Sequence, residues 1–151
     1  MANLSHITRR VTTTRVLIAE DHTIMRDTLR SVLEQYSDIE IVGEATNGED
    51  AVLMAEQLQP SIVLMDINMP KLDGIGATKR IKANSSRIAV LGLSVHGEGH
   101  SIDAMLRAGA LAVVAKERAT EELYHAIQQA IALPVEFIRQ IPAVNANQLT
   151  S

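Results

Sequence analysis

Five residues stand where apolar runs stop. Glu20 and Asp21 follow VLIA, Asp66 follows SIVLM, Ser94 closes LGLS, and Lys116 follows LAVVA. Each alone is an ordinary turn, cap or solvated residue. Together they define a chemistry. Three carboxylates in one cleft repel each other, and each resists ionisation. A divalent cation resolves the conflict. Hard oxygen ligands with few dedicated side chains suit Mg²⁺, which keeps several waters and often shares its shell with a phosphate. A lysine adds a second positive charge, and a hydroxyl adds a hydrogen bond. The sum is a pocket for a phosphoryl group beside a nucleophilic carboxylate.

The elements that carry these residues must bring them together. VLIAE at 16–20, IEIVGEA at 39–45, SIVLMDI at 61–67, IAVLGLSV at 88–95 and LAVVAK at 111–116 are short apolar runs of strand character. Helical spacing separates them. Met25, Leu29, Val32, Leu33 and Tyr36 share one face over 23–36. Asn47 is an N-cap, with Asp50 three residues on, for a helix carrying Ala51, Val52, Ala55 and Leu58 that Pro60 ends. Further helices are expected at about 74–83, at about 98–108 with Gly109 as its stop, and after a Thr120 cap, where Leu123, Ile127, Ala130 and Ile131 align.

Five strands alternating with five helices predict an α/β fold with a doubly wound parallel sheet covered on both faces. Ligands of such sheets bind outside the carboxyl ends of the strands, where strand order reverses. All five chemical residues sit at that edge.

Composition narrows the alternatives. A chain of 151 residues is one domain by default, and 46% hydrophobic residues supply a sizeable core. Aromatics are 2%, so Val, Ile, Leu, Met and Ala must build it. A net charge of −4 argues against nucleic-acid binding by bulk electrostatics. The absence of cysteine excludes disulfides, thiolate catalysis and cysteine zinc sites. No apolar run approaches the roughly 20 residues that span a bilayer, and the N-terminus has no signal-peptide core. Residues 1–14 read as a polar arm, and a cytoplasmic location is expected.

The motifs AEDH at 19–22, DINMPKLDG at 66–74, LS at 93–94 and GALAVVAKE at 109–117 resemble the receiver domain of a two-component response regulator. The likeness runs over 15–133. DINMP, the Gly-Glu-x-x-Asn-Gly pattern at 43–48 and a lysine not followed by proline are most similar to the NarL/FixJ (LuxR-type) subfamily. The resemblance implies a flavodoxin-like, CheY-like sheet of order 2-1-3-4-5. It implies that Asp66 is the phosphoacceptor, and that Mg²⁺ is held by Asp21, by Glu20 through water, by Asp66 and by the backbone carbonyl of Asn68. Ser94 becomes the switch hydroxyl, and Lys116 the partner of the phosphoryl group or of Asp66. Pro70 and Gly74 shape the following loop, Pro by fixing φ and Gly by permitting positive φ.

One position departs from the family pattern. Val113 stands where an aromatic rotamer switch is common, after Ala112 in place of the usual glycine. His96 is a candidate to substitute in part for that relay. His22 abuts the acidic pair, but the family pattern makes it the start of the first helix and not a ligand. Met54, Met65, Met69 and Met105 read as core filling or a loop plug.

The resemblance also implies a sensor histidine kinase as phosphodonor and no membrane partner; the face of the fourth and fifth helices with the fifth strand, or that of the first and fifth helices, could each make a twofold dimer, and the sequence does not fix the oligomeric state. The closing residues, 134–151, read as a linker, and the final QLTS resembles the opening of a LuxR-type helix-turn-helix domain. A receiver cut from a longer transcription factor is therefore expected, with DNA contacted only through that C-terminal domain. A stand-alone receiver acting by protein contact remains open. A Mg²⁺-dependent aspartyl-nucleophile phosphatase is a third reading, which Asn68 opposes because such enzymes often carry an acid there.

Overall fold

The structure, a computed structural model, describes residues 12–95 and 99–132. Its strands are β1 (Thr14–Ala19), β2 (Ile39–Ala45), β3 (Ile62–Asp66), β4 (Ala89–Ser94) and β5 (Ala112–Ala115). Its helices are α1 (Thr23–Glu34), α2 (Gly48–Leu58), α3 (Gly74–Asn84), α4 (Gly99–Ala108) and α5 (Ala119–Ala132). All strand pairs are parallel, and the order is β2-β1-β3-β4-β5. The doubly wound five-stranded arrangement is the one expected.

Alternation along each strand builds two cores. Val16, Ile18, Ile62 and Leu64 face Leu29 and Leu33 of α1 and Leu123 and Ile127 of α5. Leu17, Ala19, Val63 and Met65 face Ala51 and Ala55 of α2, Ala77 and Ile81 of α3, and Met105 of α4. Every residue of β3 is buried, as a strand covered on both faces requires. No aromatic belongs to either core among the described residues. Tyr36 and Tyr124 instead stack at the α1–α5 seam, with centroids 3.6 Å apart, and Tyr124 Oη donates to Asp38 Oδ2 at 2.8 Å.

Helix ends follow local chemistry. Asn47 Oδ1 accepts from Asp50 N at 2.8 Å, the expected cap of α2. Gly109 ends α4 at φ +119°, a conformation that needs no Cβ. Thr120 does not cap α5. A 3₁₀ turn over Lys116–Arg118 runs directly into the helix, and Ala119 is already helical. Strand β1 begins at Thr14, inside the expected polar arm, because Thr14 N bonds Asp38 O at 2.8 Å. The expected linker over 134–151 lies outside the described residues.

The loop after β3 also corrects an expectation. Gly74 does not use positive φ; Lys71 does, at +67°. Gly74 is needed for contact. A Cβ there would lie 2.0 Å from the carbonyl oxygen of Asp66, while Gly74 N donates to Ile67 O at 2.8 Å. Gly48 plays the matching part across the loop, where a Cβ would meet Leu72 O at 1.9 Å. The missing side chains let α2 and α3 close on the loop and set the height of Asp66.

Backbone cannot yield as a flexible side chain can, so Gly74→Ala is expected to cost about 3 kcal/mol or more, at or above the upper end of overpacking effects. Urea unfolding monitored by circular dichroism measures this. A loss below about 0.5 kcal/mol contradicts the close-contact account.

Candidate functional site

Sheet order reverses between β1 and β3, and the acidic residues flank that point. Glu20 and Asp21 leave the end of β1, and Asp66 is the last residue of β3. The register pairs Ala19 with Met65, so Glu20 stands level with Asp66. Ser94 ends β4 and is buried. Lys116 follows β5 as the first residue of the 3₁₀ turn, one step later than expected.

Lys116 joins the acids. Its Nζ lies 2.7 Å from Glu20 Oε1 and 3.0 Å from Asp66 Oδ1. Backbone groups orient the rest. Asn68 N donates to Asp66 Oδ1 at 3.3 Å, and His22 N donates to Glu20 Oε2 at 3.2 Å. Arg26 Nη1 holds the Glu20 carbonyl at 2.9 Å.

Glu20 is fully buried, and Asp66 is 2% exposed. One cation facing two buried acids leaves an excess negative charge. Burial, then the neighbouring Glu20 carboxylate, pushes Asp66 up to about 7, against the pull of Lys116. Burial acts on Glu20 in the same sense. There it is outweighed by Lys116, the neighbouring Asp66 carboxyl and the His22 N–H, so Glu20 ends below its usual value. Burial opposes the charge on Lys116, yet the bonds to Glu20 and Asp66 hold its pKa above normal.

The donor set fits a cation. Asp66 Oδ2 and Asp21 Oδ1 are buried without hydrogen-bond partners. Ligand atoms from Glu20, Asp21, His22 and Asp66 lie within 4.8 Å of one another. Unsatisfied buried carboxylate oxygens are costly unless something positive meets them. The arrangement can hold a divalent ion and present one free carboxylate oxygen to an electrophile.

His22 stands directly before α1, as expected, and its Nδ1 lies 3.2 Å from Asp21 Oδ1 and 3.3 Å from Glu20 Oε2. Val113 is buried and packs in the core with Met105. His96 lies outside the described residues. Pro70 and Asn68 are both exposed in the loop after β3.

The Asp66 shift makes a pH signature. Below its ordinary value of 3.8, Asp66 is protonated folded and unfolded, and contributes nothing. Between 3.8 and about 7 only the unfolded state ionises, so stability falls as pH rises; above 7 the penalty is constant. Asp66→Asn removes it. In chelator, the variant should gain on the parent progressively from pH 4 to 7, reaching about 2–4 kcal/mol at pH 8. Chemical denaturation at pH 4.5 and 8 checks this, and an equal difference at both pH values would contradict it.

The chain has known relatives. Residues 16–128 match the response regulator receiver domain. The transcriptional regulatory protein YdfI of Bacillus subtilis (strain 168) is 35% identical over 117 residues, which is 78% of this chain and 54% of that protein. The nitrate/nitrite response regulator protein NarL of Escherichia coli (strain K12) is 34% identical over 119 residues, with the same coverage of 78% and 54%. The protein-glutamate methylesterase/protein-glutamine glutaminase 1 of Methanosarcina acetivorans is 38% identical over 138 residues, 89% of this chain and 38% of that protein. The chain thus spans about half the length, or less, of the curated relatives it matches. Among solved structures, the response regulator domain of Thermotoga maritima CheB superposes with a TM-score of 0.74 at 30% identity, over 81% of this chain and 98% of that one. A LuxR-family response regulator from Aurantimonas sp. SI85-9A1 gives 0.75 at 29% identity, over 80% and 86%. The chain belongs to the response regulator receiver domain family, with NarL-like and LuxR-type regulators among its relatives.

Proposed function

We propose that this chain is a phosphorylation-controlled input module whose Asp66 accepts a phosphoryl group from a phosphohistidine of a sensor histidine kinase. The observation that carries the reading is Asp66 Oδ2, a buried carboxylate oxygen without a hydrogen-bond partner, on a side chain that Lys116 already grips through Oδ1. Oδ2 attacks phosphorus, an O–P bond forms, the donor's N–P bond breaks, and its electron pair stays on the imidazole nitrogen. Catalysis of this kind is mostly positioning and electrostatics. Mg²⁺, held by Glu20, Asp21, Asp66 and the backbone carbonyl of Asn68, would ease ionisation of Asp66 and offset charge on the phosphoryl oxygens.

The rest falls to side chains of the chain itself. Lys116 orients Asp66 and balances the added charge. Ser94 donates to a phosphoryl oxygen. Phosphorylation adds about −1.5 to −2 charge in its usual side-chain settings. That charge draws Ser94 and Lys116 inward and shifts the segment between β4 and α4, together with α4 itself, as the switching surface. The chain is a signalling acceptor rather than a turnover enzyme; Asn68 in place of a second acid speaks against a phosphatase.

The output is transcriptional control, supported by the names of YdfI and NarL. With net charge −4 this chain leaves DNA contact to a C-terminal domain reached through a linker at 134–151. The receiver spans 15–133, after a polar arm at 1–14, and pairs with a second copy through its receiver faces. It works in the cytoplasm; among the described residues no helix is long and apolar enough to cross a membrane.

Incubation with a small phosphodonor and Mg²⁺, read by intact mass, tests the reading. The parent gains one phosphoryl group and Asp66→Ala gains none. Lys116→Ala slows the gain on the order of 100-fold, as loss of a transition-state donor does. A gain that persists in Asp66→Ala refutes the assignment.

A further inference from the structure

The carbonyl oxygens of Glu20 and Asp21 lie past the last ladder pairs of β1, which are Ala19 with Ala45 and Ala19 with Met65. Arg26 reaches back from α1 to both. Its Nη1 donates to Glu20 O at 2.9 Å and to Asp21 O at 3.5 Å. We propose that Arg26 is a positioning residue of the cation site, which by holding these two carbonyls fixes the direction in which Asp21 presents its carboxylate to a bound divalent ion. The inference rests on the reading of Glu20, Asp21 and Asp66 as that site.

The two acids of the pair are aimed by different means. The Glu20 carboxylate is gripped directly, by Lys116 Nζ at 2.7 Å and by His22 N at 3.2 Å. Asp21 Oδ1 is buried and accepts no hydrogen bond. A neighbour's donor therefore does not aim that oxygen; the backbone beneath it must. That backbone is tied on both sides of the Glu20 peptide. Glu20 N donates to Ala45 O of β2 at 3.0 Å, and Arg26 takes the carbonyl. Main-chain acceptors withdrawn from water need such a donor.

The Arg26 head is itself restrained. Its side chain is 17% exposed, and Nε lies 3.9 Å from Glu44 Oε1 on β2. Arg30 holds the same carboxylate, with Nη2 2.8 Å from Oε2 and Nε 3.3 Å from Oε1. A guanidinium suits the task because it stays charged and carries its donors in a rigid fork. Its bonds to the loop go to main-chain oxygens, which leaves the carboxylates to the ion. Partners that orient a ligand control metal affinity without touching the metal. The charge of Arg26 acts in the opposite sense, since a cation beside the site repels a divalent ion. Removing Arg26 therefore weakens ion binding if it positions Asp21, and tightens it if only its charge is felt.

Mg²⁺ titration of the whole chain, followed by amide resonances in NMR, tests this on the parent, Arg26→Met, Arg26→Lys and Asp21→Asn. Methionine keeps an apolar stem in place of that of Arg26 while removing the donors and the charge. Arg26→Met should bind Mg²⁺ at least about tenfold more weakly, as loss of an orienting partner does. Arg26→Lys keeps the charge and loses the fork, and its affinity should fall between those of the parent and Arg26→Met. Parental or tighter Mg²⁺ binding in either variant overturns the positioning role. It does so even where urea unfolding shows a loss of stability, because a mere staple between α1 and β1 lowers stability without weakening binding by the folded chain. Asp21→Asn should lose Mg²⁺ binding. That loss beside parental affinity in Arg26→Met removes the role of Arg26 and leaves the acidic site standing. If Asp21→Asn keeps the parental affinity, the acidic-site reading fails and the inference with it.

Discussion

The Lys116 ammonium, shared between two buried carboxylates, is the interaction on which the carboxyl edge depends. Glu20 and Asp66 stand level on neighbouring strands, and each would be expensive alone. Bridging at 2.7 Å and 3.0 Å lets both occupy the edge. It does not neutralise them. One cation against two acids leaves a deficit, and burial beside Glu20 raises the pKa of Asp66 to about 7. Breaking a buried pair by removing one partner typically costs about 3–5 kcal/mol. A triad short of one positive charge is thus a stability liability.

That charge balance matters only because backbone contacts keep the carboxylates at fixed height. The N-terminus of α3 reaches the carbonyl of Asp66 because Gly74 has no Cβ, and α2 reaches Leu72 because Gly48 has none. Around Asp66 the Asn68 N–H and the Gly74 N–H then fix the turn. Rigid elements and short loops therefore aim a flexible functional group. The site tolerates buried charge because the surrounding structure cannot relax away from it.

Much of this was legible in the sequence. The strand–helix alternation pointed to the parallel sheet, because apolar runs of five to eight residues have few other uses when helices separate them. Glu20, Asp21, Asp66, Ser94 and Lys116 were visible as polar residues ending apolar strands, and sheet topology alone brings such ends together. What was not legible depended on contacts between distant segments. Gly74 looked like a residue for positive φ; only the approach of Asp66 O reveals a steric role. Thr120 had the chemistry of a cap, but the preceding 3₁₀ turn leaves no helix start there to cap.

Val113 shows how packing restricts the ways a signal can leave the site. It is buried at β5, and a Cβ built on Gly92 would come within 3.1 Å of its Cγ2 and 3.0 Å of Met105 Cγ. A short β-branched side chain so enclosed has no exposed and buried rotamers to exchange. Met105 fills the hollow that Gly92 leaves, and Thr78 Oγ1 meets its sulfur at 3.5 Å. Methionine is the adaptable residue of this group, with three rotatable bonds where valine has one. The end of β4 thus has a stiff neighbour in β5 and a compliant one in α4.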